Sequence, residues 1–304
     1  MKNFIKYCLL FSLPILMIGI GAEYLLRNID NDYLHKKTYL DKHADEISLL
    51  ILGSSHAYYG IDPAYLSVKS YNAANIAQSL DYDAAILHQY ANRLKNLQYL
   101  VVPVDYLSLY NTLAFNAEKW RLKNYAIYFN IKKTNDLNEN FEVFANKLEV
   151  NQNRLLDYYL KNKSVITCSD LGWGILPAIQ QDLMVTGEKA AKRHTAKNNR
   201  FVAYNVKVLK SILNFAEKNH IKVLIYSSPA YDSYVKQLNE LQVQNTNEQL
   251  KKLTTRYKAV YYANFLTDSS FTAQDYYDAD HLNRVGAKKL SLKIDCLLKL
   301  MAKE

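Results

Sequence analysis

Short apolar runs alternate with amphipathic segments along most of the chain. The runs have the length and content typical of buried parallel strands, and they lie at 48–52, 70–73, 99–104, 223–226 and 260–263. Apolar residues at helical spacing of three and four follow them, in Val202, Val206, Leu209, Leu213 and Ala216 and again in Ala287, Leu290, Ile294, Leu297 and Met301. This alternation predicts an α/β domain with a parallel sheet of about five strands, covered by helices on both faces. Its ligand crevice should lie at the carboxyl ends of the strands.

The amino terminus has a different pattern. Lys2 and Lys6 precede a run without charge over 7–22, which is typical of a segment that enters a membrane. The lysines place the amino terminus in the cytoplasm and the rest of the chain on the far side, at the periplasm or cell surface. We therefore predict a single-pass signal anchor within residues 1–27. A cleaved signal peptide and a buried amino-terminal helix are the alternatives.

The remaining chain divides by composition. Residues 28–46 are mixed and charged and are predicted to form a stalk that packs loosely on the body at 47–304. Within that body, 110–197 is polar, rich in Asn and Lys, and interrupts the strand-helix rhythm, so we predict a mostly helical insertion over the crevice. Cys168 and Cys296 are the body's two cysteines, and both a disulfide and two free thiols fit the sequence.

Charge and histidine placement narrow the function classes. The formal net charge is +9, from 38 Lys and Arg against 29 Asp and Glu. These basic residues are scattered and accompany no nucleic-acid motif, which argues against a nucleic-acid partner. The seven histidines are dispersed, and no Cys-x-x-Cys or His-x-x-x-His spacing occurs. We therefore predict neither a metal nor a cofactor.

Two hydroxyls follow the first predicted strand, in Gly53-Ser54-Ser55. Glycine permits a tight turn there, and a serine at the start of the next helix can act as a nucleophile beside free backbone N–H groups. A plain helix cap is the alternative, because serine is also a common capping residue. Because the serines follow a strand at the expected crevice, a nucleophile and a helix cap are equally good interpretations of this motif.

A candidate base lies near the other end of the chain. Asp278 precedes His281 by three residues in a loop before the last helix. At that spacing the carboxylate can turn back to the imidazole and hold its tautomer, while the other ring nitrogen faces the serine. A lone Asp-x-x-His is a weak signal, and the strand-end serine strengthens it.

These motifs resemble those of the SGNH hydrolases, also called GDSL-like esterases, and within them the membrane-anchored cell-surface branch. The resemblance implies a flavodoxin-like fold. It makes Ser55 the nucleophile and leaves Ser54 in the position of the family's Asp. It also implies His281 as general base and Asp278 as its orienting carboxylate. It covers roughly 47–110 and 200–300.

The same resemblance implies an oxyanion hole, and here the chain departs from the family pattern. The backbone N–H groups of Ser55 and Ala77 are the expected donors, with Ala77 standing where the family has glycine. The third family donor is an Asn, whereas this chain has Asp105, which as a carboxylate cannot donate. Asn72 or Asn75 would have to replace it. Loss of one such donor typically costs about two to three orders of magnitude in rate.

Four further residues are candidates of lower weight. Ser228 follows the fourth strand and is a candidate substrate contact, with a strand-ending turn as the alternative. Trp173, between two glycines, is predicted either to stack on a sugar ring or to anchor a loop. His56, next to the serine, is expected to be local packing, with a substrate contact as the alternative. Asp280 is expected to be a solvated or capping acid.

Together these observations lead to an extracytoplasmic serine esterase or O-acyltransferase. Its expected substrate is an O-acyl group, acetyl above all, on a surface polysaccharide. Its expected partners are the bilayer and, if the acyl group is transferred, a membrane-bound O-acyltransferase. The rival is a catalytically silent, membrane-tethered scaffold of an acylation or export assembly, since fold alone does not confer activity.

Overall fold

A computed structural model describes residues 2–133, 135–177 and 179–303. Its strands are Leu49–Ile51 (β1), Ser70–Asn72 (β2), Tyr99–Pro103 (β3), Lys222–Ser227 (β4), Val260–Asn264 (β5), Tyr276–Asp278 (β6) and His281–Leu282 (β7). Its helices are Lys2–Arg27 (α1), Asp32–His43 (α2), Ser55–Gly60 (α3), Leu80–Tyr90 (α4), Leu122–Tyr128 (α5), Leu137–Asn140 (α6), Glu142–Ala145 (α7), Leu148–Leu155 (α8), Leu183–His194 (α9), Val202–Lys218 (α10), Asp232–Val235 (α11), Glu240–Arg256 (α12) and Arg284–Met301 (α13).

The main sheet has five parallel strands in the order β2-β1-β3-β4-β5. This is the flavodoxin-like order, in which the chain reverses direction across the sheet between β1 and β3. Every residue of β1, β2 and β3 is buried, so both faces of these strands are covered, as expected for a doubly wound sheet. The predicted fold class is confirmed, and all five predicted strands are present.

The last two strands form a small antiparallel hairpin apart from the main sheet. β6 pairs with β7, with Asp278 opposite His281. The hairpin leads directly into α13, whose first turn is capped by the Asn283 side chain through the N–H groups of Val285 and Gly286. The cap fixes the residue at which α13 begins, and the hairpin therefore lies at the amino end of α13.

The chain divides into two compact units. The sheet unit comprises residues from Tyr39 to Asn116 and from Cys168 onward, and the helical unit comprises residues up to Thr38 with Ala117–Thr167. The predicted insertion is therefore divided, because α5 to α8 belong to the helical unit and α9 belongs to the sheet unit. Cys168 is buried and Cys296 exposed, and both are free thiols.

The segment predicted as a stalk is more ordered than its composition suggested. Most of it is α2, in which Tyr33 and Leu40 are buried. Ala44 and Ile47, which follow the helix, are also buried. Two of the isolated apolar residues in this charged segment, Tyr33 and Leu40, are thus buried positions of a helix.

A buried carboxylate organises the helical unit. Glu142 is fully buried and accepts hydrogen bonds from Lys123 Nζ at 2.7 Å, Arg154 Nη1 at 2.7 Å and Tyr128 Oη at 2.8 Å. Burial lowers the pKa of Lys123, and burial would raise the pKa of Glu142 if the Lys123 and Arg154 cations did not hold it low. One carboxylate thus compensates two cations.

We expect Glu142→Gln to destabilise this unit by about 3 to 5 kcal/mol, because it removes the carboxylate that the Lys123 and Arg154 cations both contact. Hydrogen exchange of the α5 to α8 amides measures the effect, which should be faster exchange there than in the sheet unit. Glu149→Gln is the matched control, since Glu149 lies exposed on α8. Equal exchange in the two variants would contradict this account.

Candidate active site

Ser55 lies at the carboxyl end of β1, at the start of α3. Gly53 makes the turn with a φ of +122°, and a Cβ there would lie 2.2 Å from Pro103 Cγ, so only glycine fits. Ser54 is in the N-cap position, yet its side chain makes no capping hydrogen bond. Ser55 is the first residue of the helix proper.

Three candidate residues from opposite ends of the chain form one line of hydrogen bonds. Ser55 Oγ lies 2.8 Å from His281 Nε2. His281 Nδ1 lies 2.9 Å from Asp278 Oδ1 and 3.1 Å from Oδ2. The Asp278 carboxylate also accepts the backbone N–H of His281 at 2.8 Å, which fixes its orientation. With the Nδ1 proton toward Asp278, Nε2 is free to accept the serine proton.

The line of three is open to substrate, whereas the groups behind it are not. The side chains of His281 and Asp278 are 15% and 17% exposed, and Ser55 is half-buried. His56 and Asp105 side chains are each 6% exposed. A molecule arriving from solvent can therefore reach Ser55 but not the second layer.

The expected oxyanion donors are the N–H groups of Ser55 and Ala77. Ala77 has a φ of +58°, a left-handed conformation that costs about 1 to 2 kcal/mol for a residue with a Cβ. Within the described chain, neither N–H has a hydrogen-bond acceptor. The loops that carry them are linked by the Asn75 N–H, which donates to the Gly53 carbonyl at 3.2 Å.

A buried carboxylate that the sequence analysis did not single out holds these loops together. Asp83 Oδ1 accepts the Gly53 N–H at 2.7 Å and Gln78 Nε2 at 2.7 Å. Asp83 and Gln78 are both almost fully buried. In the sequence, Asp83 is one of two acidic residues in the first turn of α4, where acids are common. The sequence therefore contains no signal that Asp83 binds the Gly53 N–H and the Gln78 amide.

The two Asn residues considered as replacement donors have other contacts. Asn72 Nδ2 donates to the carbonyls of Ala57 and Ile61, both at 2.8 Å, so its amide holds α3 against β2 and has no N–H left for an oxyanion. Asn75 Nδ2 donates to Gln78 Oε1 at 3.1 Å. Asn72 is thus corrected from a candidate donor to a structural residue.

Asp105, which stands where the family has its Asn donor, binds a histidine instead. Its Oδ2 lies 2.7 Å from His56 Nδ1, and its Oδ1 accepts the Ser228 N–H at 2.7 Å. Burial lowers the pKa of His56, but the carboxylates of Asp105 and Asp280 outweigh that effect and raise it to about 10. His56 is therefore a buried imidazolium next to Ser55, and its interpretation as local packing was incomplete.

Asp280 is a second correction, because it is buried rather than solvated. Its carboxylate lies 3.5 Å from His56 Nε2, 3.7 Å from His281 Nδ1 and 3.8 Å from His194 Nδ1. Burial would raise its pKa, but His281 and His56 hold it well below the usual range. Burial lowers the pKa of His194 to about 3. The imidazoles of His56, His281 and His194 thus surround the Asp280 carboxylate, and the His194 imidazole is neutral.

The His56 charge makes stability depend on pH. A folded pKa of about 10 against an unfolded value of about 6.5 stabilises the fold fully below pH 6.5. That contribution, on the order of 5 kcal/mol, is lost as the pH rises from 6.5 through 10. We expect wild type to exceed His56→Gln in unfolding free energy at pH 6.5, and the difference to shrink by pH 9.5. Urea unfolding in detergent measures it, and a constant difference would contradict a charged His56.

Ser228 and Trp173 were the remaining candidates for substrate contact. Ser228 is buried, with its N–H bound to Asp105. The Trp173 ring is 6% exposed, and its Nε1 donates to the Tyr59 carbonyl at 2.8 Å. The ring therefore anchors its loop and has no free face on which a sugar could stack.

A small cavity of about 30 Å³ adjoins the buried charges. His56, Asp105, Ser228 and Asp280 contribute to its wall, together with the apolar side chains of Pro229, Val243 and Leu266. Ser55 and His281 do not line it, so it adjoins the buried layer rather than the open face of the serine.

One group of described residues also has the spacing of metal ligands. The ligand atoms of His56, Asp280 and His281 lie within 4.8 Å of one another. His281 Nδ1 is already bonded to Asp278, and His56 carries a proton on each ring nitrogen when charged. A metal would have to displace both, so hydrogen bonding between these residues accounts for the cluster better than ligation does.

No protein-family model and no curated protein matches the chain. Solved structures are similar over most of it. A GDSL-like lipase from Bacteroides thetaiotaomicron is 10% identical with a TM-score of 0.43, covering 88% of this chain and 99% of its own. A protein provisionally described as an acylhydrolase, from Bacteroides fragilis, is 11% identical with a TM-score of 0.42, covering 86% and 95%. One provisionally described as a platelet activating factor, from Streptococcus pneumonia, is 11% identical with a TM-score of 0.45, covering 95% and 98%.

Proposed function

We propose that the chain is an SGNH-type serine esterase or O-acyltransferase acting on O-acyl groups, acetyl above all, of a surface polysaccharide. The observation that carries the proposal is the line Ser55 Oγ, His281 Nε2 and Nδ1, and Asp278, with separations of 2.8 and 2.9 Å. It lies at the carboxyl edge of the sheet, where ligands bind in this fold class. A serine that only caps a helix would not require a histidine at hydrogen-bond distance, so this contact favours a nucleophile over a cap.

In the proposed reaction Ser55 Oγ attacks the acyl carbonyl while its proton passes to His281 Nε2. The carbonyl oxygen becomes an oxyanion, for which the free N–H groups of Ser55 and Ala77 are the donors. His281 then returns the proton to the departing sugar alkoxide, leaving an acyl group on Ser55. Water or a sugar hydroxyl, deprotonated by His281, takes up the acyl group and restores the serine.

His56 is our candidate for a residue that positions the base. Asp105 stands where the family has its Asn, and instead of donating to the oxyanion it holds a positive charge on the residue next to Ser55. His56 lies between the carboxylates of Asp105 and Asp280, at 2.7 and 3.5 Å, which balance its charge. Asp280 in turn lies 3.7 Å from His281 Nδ1, so this buried group of charges lies beside the base.

The proposed location is the outer side of the cytoplasmic membrane. Among the described residues, α1 is the helix long and apolar enough to cross a membrane, with a mean hydropathy of 1.5 over Leu10–Arg27. The lysines that precede this window favour a cytoplasmic amino terminus. A membrane-bound O-acyltransferase is the proposed donor if the acyl group is transferred.

Acetate release separates the alternatives. The full-length protein in detergent is incubated with an O-acetylated polysaccharide, with and without an unacetylated glycan as acceptor. An esterase releases acetate in water, and a transferase needs the acceptor and acetylates it. Activity lost in Ser55→Ala supports the proposal. If the wild-type protein neither releases acetate nor acetylates the acceptor, and also leaves an aryl ester intact, the proposal of an enzyme is wrong. The catalytically silent scaffold, which the lack of the family's Asn donor favours, then replaces it.

A further inference from the structure

The end of the membrane helix is surrounded by short helices of its own unit. The Glu23 carboxylate in the last turns of α1 accepts the N–H groups of Glu142 at 3.1 Å and Val143 at 2.9 Å. Arg27 Nη2 donates to the Asn140 carbonyl at 2.8 Å, and Tyr159 Oη donates to the Leu25 carbonyl at 2.9 Å. Residues 140–159 are thereby fastened at the point where α1 would leave the bilayer.

These short helices and the turn after α8 expose large apolar side chains. The set comprises Leu137, Phe144, Leu148, Leu156 and Leu160, which we call the collar surface, and each is between 44% and 74% exposed. Single exposed apolar residues are common on soluble surfaces, but these five lie within one stretch, 137–160, that is bound to the end of α1. The stretch therefore offers apolar side chains to a partner at the end of α1.

Position and charge both indicate that the occupant is lipid. The run without charge ends at residue 22, and the next residue, Glu23, binds the backbone N–H groups of Glu142 and Val143, so the helical unit begins where the uncharged run ends. Apolar side chains at that point of the chain suit the boundary between headgroups and acyl chains. Segment 117–167 has 9 Lys and Arg against 6 Asp and Glu, among them the exposed Lys132 and Lys147. Basic side chains beside apolar ones suit anionic headgroups.

We propose that the collar surface inserts into the interfacial region of an anionic bilayer around the end of α1. The protein is then held by a span and an interfacial patch together, so the helical unit lies on the lipid. The proposal rests on α1 as a membrane span and is independent of the chemistry at Ser55.

The test uses the full-length chain, without its native cysteines, in vesicles of phosphatidylcholine and phosphatidylglycerol. An environment-sensitive fluorophore is attached at Leu148→Cys in the collar surface, at Leu241→Cys in the sheet unit, or at Ile15→Cys in the span. Leu148 and Leu241 are each 74% exposed, so they form a matched pair. Lipids with a nitroxide near the headgroup quench a fluorophore that lies in the interface.

We expect the label at 148 to be quenched and shifted to the blue, and the label at 241 to behave as in water. The label at 15 should be quenched by nitroxides deep in the acyl chain. If 15 is quenched and 148 matches 241, α1 spans but the collar surface is not in lipid, and the proposal is overturned. If 15 is not quenched, the span itself is wrong and the collar proposal is overturned with it, while ester hydrolysis by Ser55 is untouched.

Discussion

Ser55→Ala is expected to reduce the hydrolysis of an aryl acetate by about 10⁴ to 10⁶-fold in kcat/KM. Its Oγ is the atom placed 2.8 Å from His281 Nε2, and no other hydroxyl at the end of β1 makes a described contact with that ring. Residual turnover should come only from binding and from the N–H donors. The measurement is steady-state kinetics of the full-length protein in detergent.

Ser54→Ala is the matched control for this experiment. Ser54 is the adjacent hydroxyl, occupies the N-cap position and makes no capping hydrogen bond, so its removal should leave both stability and activity nearly unchanged. A large loss with Ser54→Ala and a small one with Ser55→Ala would show that the nucleophile had been assigned to the wrong serine.

Asp278→Asn is expected to cost about four orders of magnitude in kcat/KM at neutral pH. An amide that turns its NH₂ toward Nδ1 favours the tautomer with the proton on Nε2, which cannot then accept a proton from Ser55. The variant also loses the charged acceptor of the His281 N–H. Because an imidazole in the wrong tautomer needs hydroxide to complete the reaction, the remaining rate should rise with pH. A pH-rate profile measures this.

Asp280→Asn provides the comparison for this second prediction. Asp280 Oδ1 lies 3.7 Å from His281 Nδ1, beyond hydrogen-bond distance, whereas Asp278 Oδ1 lies at 2.9 Å. Asp280→Asn should therefore lower kcat/KM less than Asp278→Asn does, although Asp280→Asn removes a counter-charge of His56. A greater loss with Asp280→Asn would make Asp280 the carboxylate that orients the base.

Local patterns were sufficient to predict the sheet. The apolar runs that begin at 48 and 99 are typical of buried strands, since they are short and bounded by polar residues, and β1 and β3 lie within them. The burial of residues 28–46 was harder to predict. A few apolar positions in a charged segment do not indicate whether a helix there is buried or exposed. Burial of Leu40 depends on tertiary contacts that no local pattern contains.

The candidate site was predictable only in part, for a related reason. Ser55 and His281 stand in short motifs whose spacing has chemical meaning. His56 and Asp280 are ordinary polar residues in sequence, and they acquire their charges from contacts 49 and 224 positions apart. A residue's pKa is set by its surroundings, so the buried imidazolium could not be inferred before Asp105 and Asp280 were seen beside it.

The most direct measurement is covalent labelling of the full-length protein with a fluorophosphonate, followed by intact mass and peptide mapping. The proposed mechanism predicts one adduct, on Ser55, in wild type and Ser54→Ala, and none in Ser55→Ala or His281→Ala. Circular dichroism establishes that each variant is folded. Folded wild-type protein that takes up no label, or label that persists in Ser55→Ala, would contradict an activated serine at this position.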